Sequence, residues 1–397
     1  MLAVGLMSGT SLDGVDASLV EIEGFGEKTE IRVIKSISLP YDSSLKERLL
    51  EIMNVETSDV EKLCSMNYEI SYLFAKAVKE VCKKVGIPLE RLDIIGSHGQ
   101  TVYHLPQPTP PFVRSTLQIG DPAIIAYETN TLVVSNFRAM DMAAGGEGAP
   151  LIPYIDWLLF KSDDKGRILQ NIGGIGNCTV LKRNGQKEEM IAFDTGPGNM
   201  IIDELCRTLK NIPYDKNGTI AARGTVHHDL VHEWMQHDYF KKLPPKSTGR
   251  ELFGKNYTLK IIKKYPNLSA EDLIATATYF TAYSIVKAYH DFVFPHYEID
   301  EIIISGGGGN NPTLIKMIQD LIPEKHVMTI DKLGITTDEK EAVGFAILAN
   351  EYIHQQKANI PQATGAKEAV LLGQITLPPY GDHKRVLERA IKRSKSF

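Results

Sequence analysis

The chemistry-bearing residues of this chain gather in bends of small residues that also carry carboxylates, hydroxyls or amides. The first bend lies within Gly5-Leu-Met-Ser-Gly-Thr-Ser-Leu-Asp-Gly-Val-Asp16. Apolar runs flank it at 2–4 and 17–20. That pattern predicts a β-hairpin whose turn offers backbone N–H groups and hydroxyls to an anion. Ser8, Thr10 and Ser11 can donate to phosphate oxygens, and Asp13 or Asp16 could hold Mg²⁺. The GxxxxGK[ST] pattern and its lysine are absent, so this is not a Walker loop.

A second bend, Asp194-Thr-Gly-Pro-Gly-Asn199, follows an apolar strand and precedes a helix. Asp194 at the strand end is placed for general-base work, the alternative being a helix cap. Gly196, Gly198 and Asn199 make a turn suited to close approach. A third bend, Ser305-Gly-Gly-Gly-Gly-Asn-Asn311, removes side chains from one surface, so an adenosine could lie on Gly306, Gly307, Gly308 and Asn310. A dinucleotide site is the rival, but GxGxxG fails because residue 311 is Asn. Gly173 and Gly174, in Asn171-Ile-Gly-Gly-Ile-Gly-Asn177, could contact phosphate or simply turn a hairpin.

Polar residues for a sugar cluster elsewhere. Ser97, His98, Gln100 and Thr101 end a buried strand, with His98 and Gln100 expected on one side and Ser97 and Thr101 on the other. Arg138 could clamp a substrate carboxylate, or pair structurally with Asp141. Glu341 could reach a cleft or favour the start of its helix. His228 and His232 stand i,i+4, but with no HExxH and no third ligand they read as surface residues.

The elements that must position these groups follow from periodicity. Strands are expected over 1–23, 31–39, 92–101, 131–135, 167–171, 177–182, 191–194 and 301–305. Helices are expected over 43–54, 58–85, 121–128, 152–160, 199–209, 227–238, 269–293, 312–321 and 338–355. This order predicts an α/β protein of two lobes, each with mixed sheets and flanking helices. The length of 397 residues fits two domains. The lobes are expected at 1–136, completed by 351–377, and at 137–350. A basic tail at 378–397 carries a short amphipathic helix, expected to be solvated. Net charge is −5, against general nucleic-acid binding. Four cysteines without CxxC spacing read as reduced thiols. No signal peptide and no membrane span are expected.

At these bends the chain resembles the anhydro-N-acetylmuramic acid kinases. The resemblance rests on GLMSGTSLDGVD at 5–16, GSHGQT at 96–101, LQIGDP at 117–122, NFR-x-x-D at 136–141, GGEGAPLIP at 145–153, NIGGIGN at 171–177, FDTGPGN at 193–199, SGGGGNN at 305–311 and ATGA at 363–366. It implies an actin-like, hexokinase-like ATPase fold with ATP in the cleft between lobes. It implies that ATP, water and 1,6-anhydro-N-acetylmuramic acid give N-acetylmuramic acid 6-phosphate and ADP, in cell-wall recycling in the cytoplasm. Asp194 would be the catalytic base. ATP would meet Gly9, Thr10, Ser11, Leu12, Asp13, Gly14, Val15 and Asp16 besides the glycine turns, with Asp13 toward Mg²⁺. The sugar would meet Ser97, His98, Gln100, Thr101, Gln118, Arg138, Asp141 and Glu341. A homodimer is expected. Residue 147 is Glu where Gln is expected, a charge that would repel a substrate carboxylate. The competing readings are a non-catalytic sugar or nucleotide sensor of the same fold and a Rossmann dehydrogenase.

Overall fold

The computed structural model describes residues 1–9 and 12–394. The chain divides into two compact units, Met1–Leu159 with Asp338–Phe397, and Phe160–Thr337. The expected divisions lay at 136/137 and 350/351. The unit border falls elsewhere because the helix Thr337–Ile353 packs on the first sheet, and Ile152 and Ile155 of the helix Ile152–Phe160 pack on its Gly344. The contact with the sheet is backbone to backbone. A Cβ on Gly5 would stand 1.7 Å from the Ala342 carbonyl oxygen, and one on Gly96 2.0 Å from that of Phe345. Gly5 and Gly96 are register partners on adjacent strands, so together they form a bare seat for the helix.

In the first unit the strands are β1 (Leu2–Ser8), β2 (Gly14–Glu23), β3 (Glu30–Pro40), β4 (Ile94–Leu105), β5 (Ser115–Ile119) and β6 (Val133–Ser135). The short β12 (Gln374–Thr376) returns late in the sequence to pair with β6. The sheet order is β12-β6-β4-β1-β2-β3, with β5 added to β4. β1 and β2 form the expected antiparallel hairpin, and β1 runs parallel to β4. The helix Val60–Lys84 starts where the Asp59 side chain accepts from the Lys62 N–H. It buries Met66, Ile70, Phe74, Ala77 and Val81 on one stripe, against Val4, Leu6 and Leu19 of the sheet. Each large apolar side chain so covered contributes roughly 1.5–3 kcal/mol.

The basic tail is largely exposed, as expected, with only Ala390 and Ser394 of its helix buried, yet one face of it is anchored. Helix His383–Ser394 docks on the first unit, where Arg389 and Arg393 reach the buried Asp93 at 3.3 and 2.9 Å. Asp93 also accepts from the Leu2 N–H, and Ser394 Oγ lies 2.8 Å from His354 Nε2. Asp93 supplies a buried carboxylate that the sequence pattern alone does not reveal.

The second unit holds β7 (Arg167–Ile172), β8 (Ile175–Leu181), β9 (Ile191–Pro197), β10 (Glu301–Ser305) and β11 (His326–Thr329), in the order β11-β10-β7-β8-β9. Helices Ala270–Phe292 and Pro312–Leu321 cover one face, packing Ile285, Tyr289, Leu314 and Ile318 onto Ile168, Val180, Ile302 and Ile304. Two mixed sheets with flanking helices make this an α/β protein, as expected. Strands β5, β11 and β12 and the helices Arg250–Phe253 and Lys255–Lys264 have no counterpart in the sequence reading. No helix among the described residues is long and apolar enough to cross a membrane. The four cysteines are free.

Candidate active site

In the first unit the polar core of the site is a knot around Ser8. Its Oγ lies 2.8 Å from the Gly14 carbonyl, 2.7 Å from the Tyr41 hydroxyl and 2.6 Å from Gln100 Oε1. The Gln100 amide donates to the Gly9 carbonyl at 3.3 Å, and the Tyr41 N–H to the Asp13 carbonyl at 3.1 Å. These bonds tie one end of the hairpin bend to β4 and the other to Tyr41, just past β3. Thr10 and Ser11 lie outside the described residues. Leu12 and Val15 turn their side chains into the core, so a nucleotide could meet them through backbone only. Asp13 is exposed, with Lys46 at 3.6 Å. Asp16 sits in β2 opposite Met7 and Ser38.

The expected alternation after Ser97 is broken at Gly99, whose φ is +81°. His98 is buried and packs at a tilt against Phe345, with centroids 4.7 Å apart. Its Nδ1 lies 2.9 Å from the Gly99 carbonyl, and its Nε2 accepts from Arg138 Nε at 3.0 Å. Arg138 also donates to the Gly148 carbonyl at 2.7 Å. Burial lowers the Arg138 pKa, while Glu341 opposes the shift. Glu341 is reached by solvent yet crowded by protein, which raises its carboxyl pKa; Asp16 and Asp156 add to the rise, and Lys340 and Arg138 oppose it. Ser97 is buried, and its Oγ makes no hydrogen bond among the described residues. Gln118 donates to Thr101 Oγ1 at 3.2 Å and Thr116 Oγ1 at 2.8 Å, which fixes these polar groups on the β4–β5 hairpin.

Asp141 has a different task from the one expected. It is completely buried, and its carboxylate accepts from the Gly148 N–H, Asn359 Nδ2 and Thr364 Oγ1 at 2.7–2.8 Å. With both oxygens engaged, it ties the loop 145–148 to residues 359–364 rather than facing a ligand. Arg138 forms no pair with it. Glu147 accepts from Gln107 at 2.9 Å.

In the second unit three bends converge. Asn199 Nδ2 donates to the Ile172 carbonyl at 3.2 Å, and the Asn199 and Gly198 N–H groups reach the carbonyls of Gly173 and Gly174. Gly306 has φ +83°, and a Cβ there would lie 2.6 Å from both Asn171 Oδ1 and the Ile172 carbonyl. Gly307 and Asn310 are exposed, and Gly308 is buried over Ile172. Asn311 caps the following helix by accepting from the Leu314 N–H at 3.0 Å, which accounts for Asn at that position. The result is a cradle of bare backbone suited to phosphate and a flat ring.

Asp194 stands beside that cradle, opposite Asn177 in β8. The ladder shifts register between Gly176 and Asn177, leaving Thr195 as an extra residue that bends β9 there. The Thr248 N–H donates to Asp194 Oδ2 at 2.8 Å, while Oδ1 has no hydrogen bond among the described residues. Burial raises the Asp194 pKa and Glu251 adds to it, while the Thr248 N–H opposes it. A half-buried carboxylate with one oxygen fixed and one open is the arrangement of a general base.

The family model described as anhydro-N-acetylmuramic acid kinase matches residues 1–378. The chain belongs to the anhydro-N-acetylmuramic acid kinase family. It is 51% identical over 381 residues to the anhydro-N-acetylmuramic acid kinase of Bacillus cereus, covering 96% of this chain and 100% of that one. The relative of the same name from Bacillus thuringiensis subsp. konkukian is 49% identical over 381 residues, with 96% and 100% coverage. Among solved structures, component A of (R)-2-hydroxyglutaryl-CoA dehydratase from Acidaminococcus fermentans is 8% identical, with a TM-score of 0.46 over 88% of this chain and 97% of that one. As a member of the anhydro-N-acetylmuramic acid kinase family the chain is an ATP-dependent sugar kinase.

Sequence reasoning missed Tyr41, Lys246 and Thr248. Tyr41 follows Pro40 at the end of β3 and carries no motif. Lys246 and Thr248 belong to Pro-Pro-Lys-Ser-Thr-Gly at 244–249, a stretch whose composition signals only a loop. His228 and His232 pack edge-on against Tyr279 and Tyr283.

Proposed function

We propose that the chain opens 1,6-anhydro-N-acetylmuramic acid with water and phosphorylates its O6 from ATP. The products are N-acetylmuramic acid 6-phosphate and ADP, and the step serves recycling of cell-wall sugars in the cytoplasm. Water attacks the anomeric carbon as the bond from that carbon to O6 breaks. The released O6 attacks the γ-phosphorus, and the bond to the β-phosphate oxygen breaks. Asp194 takes the proton of the attacking water through Oδ1. The Asp194 arrangement, with one oxygen fixed by Thr248 and the other open beside three glycine turns, carries this reading.

The remaining roles follow the chemistry of each group. The bends at 9–16, 173–174, 196–199 and 306–310 bind the nucleotide, their glycines letting it approach the backbone closely. His98, Gln100, Thr101, Gln118, Arg138 and Glu341 read the sugar. Arg138 is suited to a carboxylate because its guanidinium is fixed on two sides yet retains donors. No group of three or more His, Cys, Asp or Glu side chains among the described residues could hold a metal ion. Mg²⁺ commonly binds one or two carboxylates, phosphate oxygens and water, and Asp13 fits that role. The ion supplies charge neutralisation at the phosphates. A homodimer belongs to the same reading.

ADP release measured with and without the anhydro sugar, with mass spectrometry of the sugar product, tests the proposal. One ADP per sugar 6-phosphate, with one water added across the former anhydro bond, is the expected outcome. Release that ignores the sugar, or a product that keeps its anhydro bond, would overturn it. A sensor would bind both ligands and release no ADP.

A further inference from the structure

β9 is the border strand of the second sheet, and the segment at 245–248 runs along its free edge. The Asp194 N–H donates to the Lys246 carbonyl at 3.0 Å, and two residues on the Thr248 N–H returns to Asp194 Oδ2 at 2.8 Å. The Asp194 carbonyl accepts from the Tyr239 hydroxyl at 2.7 Å. The backbone and one carboxylate oxygen of Asp194 are thus fixed by groups outside the sheet.

Lys246 shows what fixes the segment. It is 9% exposed and has no carboxylate partner among the described residues. Its ammonium lies 4.9 Å from the ring centre of Tyr239 and 4.5 Å from that of Phe292. Burying an ammonium is unfavourable unless other groups stabilise the charge; here the Asp291 carboxylate favours it from beyond ion-pair distance, and two ring faces lie against it. Phe292 in turn packs edge-on against Phe193, the residue before Asp194. Tyr239, which takes one face of the ammonium, is also the residue that holds the Asp194 carbonyl.

We propose that Pro245–Thr248 is a positioning strap for Asp194, pinned by the Lys246 side chain between Tyr239 and Phe292. The proposal rests on the reading of Asp194 as the base. Lys246 and Thr248 touch no reacting atom; they aim the carboxylate and leave Oδ1 open. The Thr248 hydroxyl is buried without a partner among the described residues, so the residue acts on Asp194 through its N–H.

The titratable groups around Asp194 are Glu251 from the helix Arg250–Phe253, Tyr239, Cys178 of β8 and Lys246. Burial keeps Tyr239 and Cys178 protonated at neutral pH. Releasing the strap removes the N–H that lowers the Asp194 pKa. The acid limb of kcat then moves to higher pH, whereas loss of folded protein would scale the whole profile down.

The experiment measures kcat against pH, with KM for ATP, for Lys246→Ala, Lys246→Arg, Thr248→Pro and Asp194→Asn. Lys246→Ala should lower kcat by about 10- to 100-fold, the effect of a roughly 1 Å misplacement. KM for ATP should stay within about twofold. Its acid limb should move up, and Lys246→Arg should restore both kcat and the limb. Thr248→Pro deletes the N–H while keeping the Lys246 charge, and it provides the same readout should the alanine variant fail to fold. A stationary limb in the folded variants, or kcat within about twofold of wild type, would overturn the strap while an inactive Asp194→Asn upheld the base. An active Asp194→Asn would overturn the base reading itself.

Discussion

Arg138 Nε donates to His98 Nε2 at 3.0 Å. That bond requires an unprotonated Nε2, and the Gly99 carbonyl at 2.9 Å takes the proton on Nδ1. Two partners thus fix one neutral tautomer. Burial first, then the Arg138 charge, pushes the His98 pKa down to about 3. The ordinary value is 6.5, so the unfolded chain binds a proton that the folded one refuses between these limits. His98 stabilises the fold fully above pH 6.5, and that contribution is lost as pH falls toward 3. The slope approaches about 1.4 kcal/mol per pH unit. Thermal melts at stepped pH should show a shallower loss for His98→Gln, whose amide can make both bonds. An unchanged slope would count against the neutral imidazole.

Asp194→Asn should retain ATP affinity and lower kcat by about 10²- to 10⁴-fold. In the wild type, activity should rise with pH through the Asp194 pKa, which burial lifts above the ordinary carboxylate value. Steady-state rates with a calorimetric ATP titration distinguish chemistry from binding. Near-normal turnover would remove Asp194 from the mechanism.

Gly306→Ala meets two obstacles. The backbone is in the left-handed region, at φ +83°, and the new Cβ would press on Asn171 and Ile172. Spreading these two bends apart should raise KM for ATP more than it lowers kcat. An unchanged KM would place adenosine elsewhere.

The docked C-terminal helix makes a stability prediction. Replacing Arg389 and Arg393 by Ala leaves the buried Asp93 carboxylate with the Leu2 N–H and the charge of the Met1 ammonium. Both arginines are partly exposed, so each pair alone is worth about 1 kcal/mol or less. Removing both strips a buried carboxylate of its side-chain partners, which costs more. Tm should fall by several degrees while kcat per folded molecule holds. Differential scanning calorimetry with active-site titration decides this, and an unchanged Tm would mean that the helix is held by other contacts.

Local patterns were legible where one face of an element repeats. The stripe Met66, Ile70, Phe74, Ala77 and Val81 gave away its helix, and the small residues between two apolar runs gave away the β1–β2 hairpin. β5, β11 and β12 are too short to establish a period and, unlike the equally short β6 and β10, are not apolar runs. The largest misreading concerns Asp141. Its sequence neighbour Arg138 suggested a ligand clamp, but its partner Thr364 lies 223 residues on. Thr248 is 54 residues from Asp194 in a segment with no periodicity. Side-chain accounts that close over such distances leave no trace in spacing.

The Pro245–Thr248 segment also has a consequence for keeping molecules apart. A sheet border with unsatisfied amides invites another chain to add itself as a strand. Here one such amide, that of Asp194, is already occupied from within. Whatever loosens the clamp on the aspartate therefore also opens a docking line for a neighbour, so weakened catalysis and clumping should surface in the same variants.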